Sequence, residues 1–136
     1  MNSKLSARRL NRSGWRRRYH AAFTTLLHFK LTVQTLALPD EPVPEQLPEA
    51  DLDRFLRRLL ADLLRFVNRE TRFLEALGCE LRSWRIGELL PLLDLFDETS
   101  SLVLSVLPSG VRAEWRRVAG AFIRLKARVV RLHVFN

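Results

Sequence analysis

The sequence predicts an all-α fold: an antiparallel four-helix bundle with a basic N-terminal arm. Three observations carry that expectation. Apolar residues recur at spacings of three and four along four long stretches, the alternating pattern of strands is missing, and the stretches are separated by proline or glycine. With 136 residues, 47% of them hydrophobic and only five glycines, the chain suits one domain with a buried core rather than a disordered segment.

Residues 1–14 read as a basic arm and 15–136 as a single helical-bundle domain. Ser13 is placed to cap a first helix over residues 15–38, whose apolar positions include Tyr19, Ala22, Phe23, Leu26, Leu27, Val33 and Leu36. Pro39 stops it, and residues 39–49 form an acidic linker that holds four of the six prolines. A second helix is expected over residues 51–77, with acids in its first turn and one broad apolar face from Phe55 to Leu77. Gly78 ends it, and Cys79 to Gly87 is a short irregular or helical piece that carries Trp84.

The third helix is expected over residues 89–106, with Pro91 either in its first turn or kinking it. Pro108-Ser109-Gly110 makes a turn, and the fourth helix runs over residues 111–134. The expected core includes Leu59, Leu63, Phe66, Leu93, Phe96, Leu104, Phe122 and Val129. No apolar run is long enough to cross a bilayer, since Asp94, Asp97 and Glu98 break the longest one.

Charge is distributed in three blocks. Residues 1–39 carry a net +8, residues 40–98 a net −6 and residues 99–136 a net +6, which gives +8 overall. Of the 23 basic residues 20 are arginine. Arginine grips phosphate in a planar, bidentate way that lysine does not, although a GC-rich genome produces the same bias without a functional cause.

On a helical wheel, Arg117, Arg124, Arg128 and Arg131 fall within an arc of roughly 60°, opposite Trp115, Val118, Phe122, Leu125 and Val129. That row is about 21 Å long and has no acid beside it. The N-terminal segment adds Arg8, Arg9, Arg12, Arg16, Arg17 and Arg18, together with Lys4. Trp15 and Tyr19 lie among them, and an aromatic ring between arginines can stack on a base. The Trp15, Trp84 and Trp115 side chains are expected in the core or an interface rather than as stacking platforms. A further row on the second helix, Arg54, Arg58, Arg65, Arg69 and Arg72, ranks lower because Asp62 sits beside Arg58 and Arg65.

Nothing in the sequence points to catalysis. The single cysteine, Cys79, allows no intrachain disulfide, and His20, His28 and His133 have no metal-ligand spacing. No glycine-rich phosphate loop or nucleophile motif is present. Arg128 and His133 resemble the Arg-x4-6-His signature of the HEPN helical ribonucleases. Val129 stands where that signature has a polar residue, and chance supplies about one such match in a chain this rich in arginine.

The expectation is therefore a non-enzymatic, cofactor-free and metal-free helical protein of the cytoplasm that binds nucleic acid, RNA ahead of DNA, as an accessory subunit of a ribonucleoprotein or nucleic-acid enzyme. The nucleic-acid-binding set comprises Arg8, Arg9, Arg12, Arg16, Arg17, Arg18, Arg117, Arg124, Arg128 and Arg131. The alternatives are a protein–protein adaptor or self-assembling homo-oligomer, in which acidic middles meet basic ends, and a peripheral membrane protein with apolar residues beside its arginines.

Overall fold

The computed structural model describes residues 12–36, 49–77, 83–102, 105 and 107–135, with side chains described for 14–36, 50–76, 86–102, 105 and 107–131. Arg8, Arg9, most of the linker, Cys79 and Leu104 lie outside these residues, as do the side chains of Arg12, Trp84 and His133. Four helices account for the fold: α1 (Arg12–Leu36), α2 (Glu49–Leu77), α3 (Ser83–Ser100) and α4 (Ser109–Phe135). No strand occurs among the described residues.

Helix α1 begins at Arg12, so the last residues assigned to the arm are helical. Helix α3 is displaced from its expected span at both ends. It starts at Ser83, which leaves Pro91 in its interior, and it stops at Ser100. Its C-terminus has a local cause. The hydroxyls of Thr99 and Ser100 donate to the carbonyls of Leu95 and Phe96 at 2.7 and 2.8 Å, and Ser101 Oγ donates to the Glu98 carbonyl at 2.7 Å. Backbone bonds of the tighter i to i−3 type close the last turn, from Ser101 N to Glu98 O and from Leu102 N to Thr99 O. The Ser101 hydroxyl and backbone N–H thus both take the Glu98 carbonyl that the Leu102 N–H would use in a continuing helix.

Side-chain pairs between helices fix the running directions. Trp15 meets Phe73, Tyr19 meets Phe66, and His28 meets Phe55, so α1 and α2 are antiparallel. Arg16 pairs with Glu88 and Lys30 with Glu98, so α1 and α3 run the same way. At one end of α2 the Arg57 guanidinium packs over Gly110, and at the other Glu75 pairs with Arg128. The two long helices α2 and α4 are therefore parallel neighbours, and they share the most extensive contact in the molecule. Around the bundle the order is α1, α2, α4, α3. The connection from α2 to α3 crosses the diagonal, so two of the four neighbouring pairs are parallel, where a simple up-and-down bundle has antiparallel neighbours throughout. Periodicity states which face of a helix is apolar, but not which helix will cover it.

The core is filled along these faces by Leu26, Phe29, Leu56, Leu60, Leu63, Leu89, Phe122 and Leu125, all buried. Phe29 stacks on Trp115 across the diagonal at 5.2 Å, and Phe96 stacks on Phe122 at 4.6 Å, which ties α1, α3 and α4 together. Leu63, Leu93, Phe96, Phe122 and Val129 are buried as expected. Leu59 and Phe66 are only partly buried, because they lie on the flank of α2 that faces α1 rather than on its innermost line.

Candidate nucleic-acid interface

Because α1 is antiparallel to α2 and α2 is parallel to α4, the start of α1 and the ends of α2 and α4 come together at one end of the bundle. Arg16, Arg17 and Arg18 at the start of α1 and Arg124, Arg128 and Arg131 in the second half of α4 therefore come to the same end of the bundle. They do so with α1 and α4 on opposite corners, not as direct neighbours.

At that end Arg17 and Arg18 of α1, Arg69 and Arg72 of α2, and Arg124 and Arg131 of α4 have no carboxylate within 4.0 Å among the described residues. Arg17, Arg69, Arg72, Arg124 and Arg131 are exposed, and Arg18 is half-buried with its guanidinium 5.0 Å from the centre of the Trp15 ring. The nearby acids are already engaged. Glu75 lies 3.2 Å from Arg128, Glu88 pairs with Arg16 at 2.9 Å, and Glu70 is only 2% exposed and accepts from the Tyr19 hydroxyl at 2.7 Å. An end with that many uncompensated guanidinium groups repels itself and attracts polyanions.

The C-terminal arginine row is less free than its wheel suggests. Arg128 is held by Glu75 of α2, and Arg117 sits 4.0 Å from Glu114 one turn earlier. Both pairs are solvent-exposed and worth about 0–1 kcal/mol, so phosphate can compete for either guanidinium. Arg124 and Arg131 remain unpaired among the described residues. Asp97 and Glu98 do not reach the row, because they pair with Lys126 and Lys30.

Arg69 and Arg72 belong to the α2 row that ranks lower on sequence grounds because Asp62 sits beside Arg58 and Arg65. In the structure Asp62 is committed to Arg65, which leaves Arg58, Arg69 and Arg72 without a carboxylate partner among the described residues. The signal is present in the spacing of Arg65, Arg69 and Arg72 at i, i+4 and i+7, which puts all three on one face. Trp15 and Tyr19, which the sequence places among the arginines as aromatics able to stack on bases, are 7% and 2% exposed and belong to the core. Their rings pack on Phe73 and Phe66, so no base can reach their faces.

Among the described residues no group of three His, Cys, Asp or Glu side chains could hold a metal ion, and no helix is long and apolar enough to cross a membrane. His20 and His28 are both exposed, and His28 packs edge-on against Phe55 at 5.7 Å. No protein-family model, no curated protein and no solved structure matches the chain.

Proposed function

We propose that the protein is a non-catalytic nucleic-acid-binding subunit of the cytoplasm, and that it grips the phosphate backbone, RNA ahead of DNA, with the basic end of its bundle. The observation that carries this is the convergence of Arg17, Arg18, Arg69, Arg72, Arg124 and Arg131 from three helices with no carboxylate partner among the described residues. A polyanion relieves their mutual repulsion and releases its own condensed counterions on binding. Planar guanidinium groups suit phosphate oxygens. Arg128 and Arg117 join by exchanging a weak carboxylate contact for a phosphate.

The test is purification of the full chain without nuclease, followed by titration with labelled RNA and DNA at low and rising salt. Tight binding that falls steeply with salt supports the proposal. Absence of binding to either at low salt refutes it.

A protein partner is a second reading, favoured by one observation. Ile123 and Val130 on α4 are 60% and 52% exposed, one heptad apart and beside Arg124 and Arg131. A self-assembling bundle would cover them. Ile123→Glu should then lower the mass measured by light scattering, whereas nucleic-acid binding without self-association leaves that mass at one chain.

A further inference from the structure

A cleft of about 400 Å³ opens between α1 and α2 at the basic end, within the range of roughly 300–1,000 Å³ typical of small-ligand sites. We infer that it holds one unstacked nucleotide of a single strand, with guanine preferred to uracil. The inference rests on the nucleic-acid reading above and adds the form of nucleic acid and the base.

The cleft exists because α1 presents Ala21 and Ala22 where α2 presents Phe66, so small side chains face a large one. Phe66 is held edge-on by Tyr19, with ring centres 5.8 Å apart, and the part of it not buried in the core lines the cleft with Leu63. This gives a fixed apolar wall of the kind on which a base packs. Arg18, Arg65 and Arg69 supply the cationic lining. Arg18 is restrained over Trp15, so its guanidinium loses little freedom when it meets a phosphate.

Asp62 is the remaining element. A carboxylate has no use for a bare phosphate, but it accepts hydrogen bonds from a base. Its Oδ1 accepts one bond from Arg65 and keeps a second lone pair, and no described donor is bonded to Oδ2, so both oxygens can still accept from a base. Guanine offers adjacent N1–H and N2–H donors on one edge, whereas uracil offers a single N–H. Three arginines and one aspartate give the lining a net charge that still favours the phosphodiester. A base paired within a duplex must first be unpaired and unstacked to enter, at a cost that a single strand largely avoids, which favours single strands.

Fluorescence anisotropy on the full chain decides the matter. The probes are a twelve-nucleotide oligouridine, the same strand with one central guanosine, and the guanosine strand annealed to its complement. We expect the guanosine strand to bind several-fold more tightly than oligouridine, and more tightly than the duplex. Asp62→Asn should bring the guanosine-to-uridine ratio close to one without lowering overall affinity, since it removes a negative charge. Phe66→Leu, which keeps an apolar wall without the ring, should weaken both single strands by about five-fold or more. Circular dichroism verifies that each variant folds; if Phe66→Leu does not, the Asp62→Asn ratio still decides. A duplex bound as well as the single strand, or a ratio unchanged by Asp62→Asn, overturns the cleft inference while leaving the basic end intact as a backbone-binding surface. If none of the three probes binds at low salt, the nucleic-acid reading falls and the cleft inference falls with it.

Discussion

Replacing Arg124 and Arg131 by glutamine tests the basic end with little risk to the fold, because both side chains are exposed and neither has a carboxylate partner among the described residues. The size of the effect follows from the number of charges. If each of the six unpaired arginines at this end neutralises one phosphate of a single strand, the logarithm of affinity falls with the logarithm of salt at a slope of about 4, from about 0.7 per phosphate. Raising salt from about 50 to about 200 mM then weakens wild-type binding about 300-fold. With four phosphates neutralised the slope drops to about 2.8 and the loss to about 50-fold. The assay is the same oligonucleotide titration at several salt concentrations, with thermal unfolding as a control. A double variant with the wild-type slope would show that these arginines touch no phosphate. A change in mass by light scattering, with the slope intact, would move the face to self-association.

Three further expectations concern the scaffold, each read from denaturant or thermal unfolding. Leu63→Ala and Phe122→Ala, at 1% and 0% exposure, should each cost about 2–5 kcal/mol through lost burial and the cavity left behind; wild-type stability in either would mean that the helix is rotated away from the core. Tyr19→Phe deletes the 2.7 Å hydrogen bond to the buried Glu70 and should cost about 1–3 kcal/mol, and a neutral result would show that the bond contributes nothing net. Gly120→Ala should stabilise by about 0.5–1 kcal/mol, because a Cβ there meets nothing within 4 Å and the residue lies inside α4; destabilisation would reveal a close neighbour on that face.

Which parts of this molecule can be read from the sequence depends on the range of the interaction. Leu63, Phe122 and Val129 are legible as core because a periodicity of three to four is a property of each helix alone. The end of α3 is not, because it turns on whether the Glu98 carbonyl is taken by the hydroxyl and N–H of Ser101 or left to Leu102. The state of the arginine row is half legible. Glu114 is visible three residues before Arg117, but Glu75 is far from Arg128 in sequence and comes beside it only because α2 and α4 run parallel. Likewise, Asp62 can be seen near both Arg58 and Arg65, but not its choice of Arg65, and that choice leaves Arg58 without a carboxylate partner among the described residues.

The diagonal connection is what turns a charge pattern along the chain into a charge pattern in space. With α1 up, α2 down, α3 up and α4 down, the start of α1 and the end of α4 share an end of the bundle whatever the order around the ring. The order decides what lies between them. With α3 between α1 and α2, its Glu88 would separate Arg18 from Arg65 and Arg69, and the cleft lined by those three arginines would not form. Instead α2 sits between α1 and α4 and presents Arg65, Arg69 and Arg72, so the cationic surface runs from α1 across α2 to α4. Helix α3 takes the far side, where Glu88, Asp97 and Glu98 are used on Arg16, Lys126 and Lys30. The acidic middle of the chain thus splits. Its carboxylates on α3 neutralise cations at the back of the bundle, and the arginines of α2 extend the basic end. A long single strand laid over α1, α2 and α4 would meet guanidinium groups along the whole path. Removing Arg124 and Arg131 takes away only the α4 stretch of that path, which is why it should lower the salt slope by the share of those two charges rather than abolish binding.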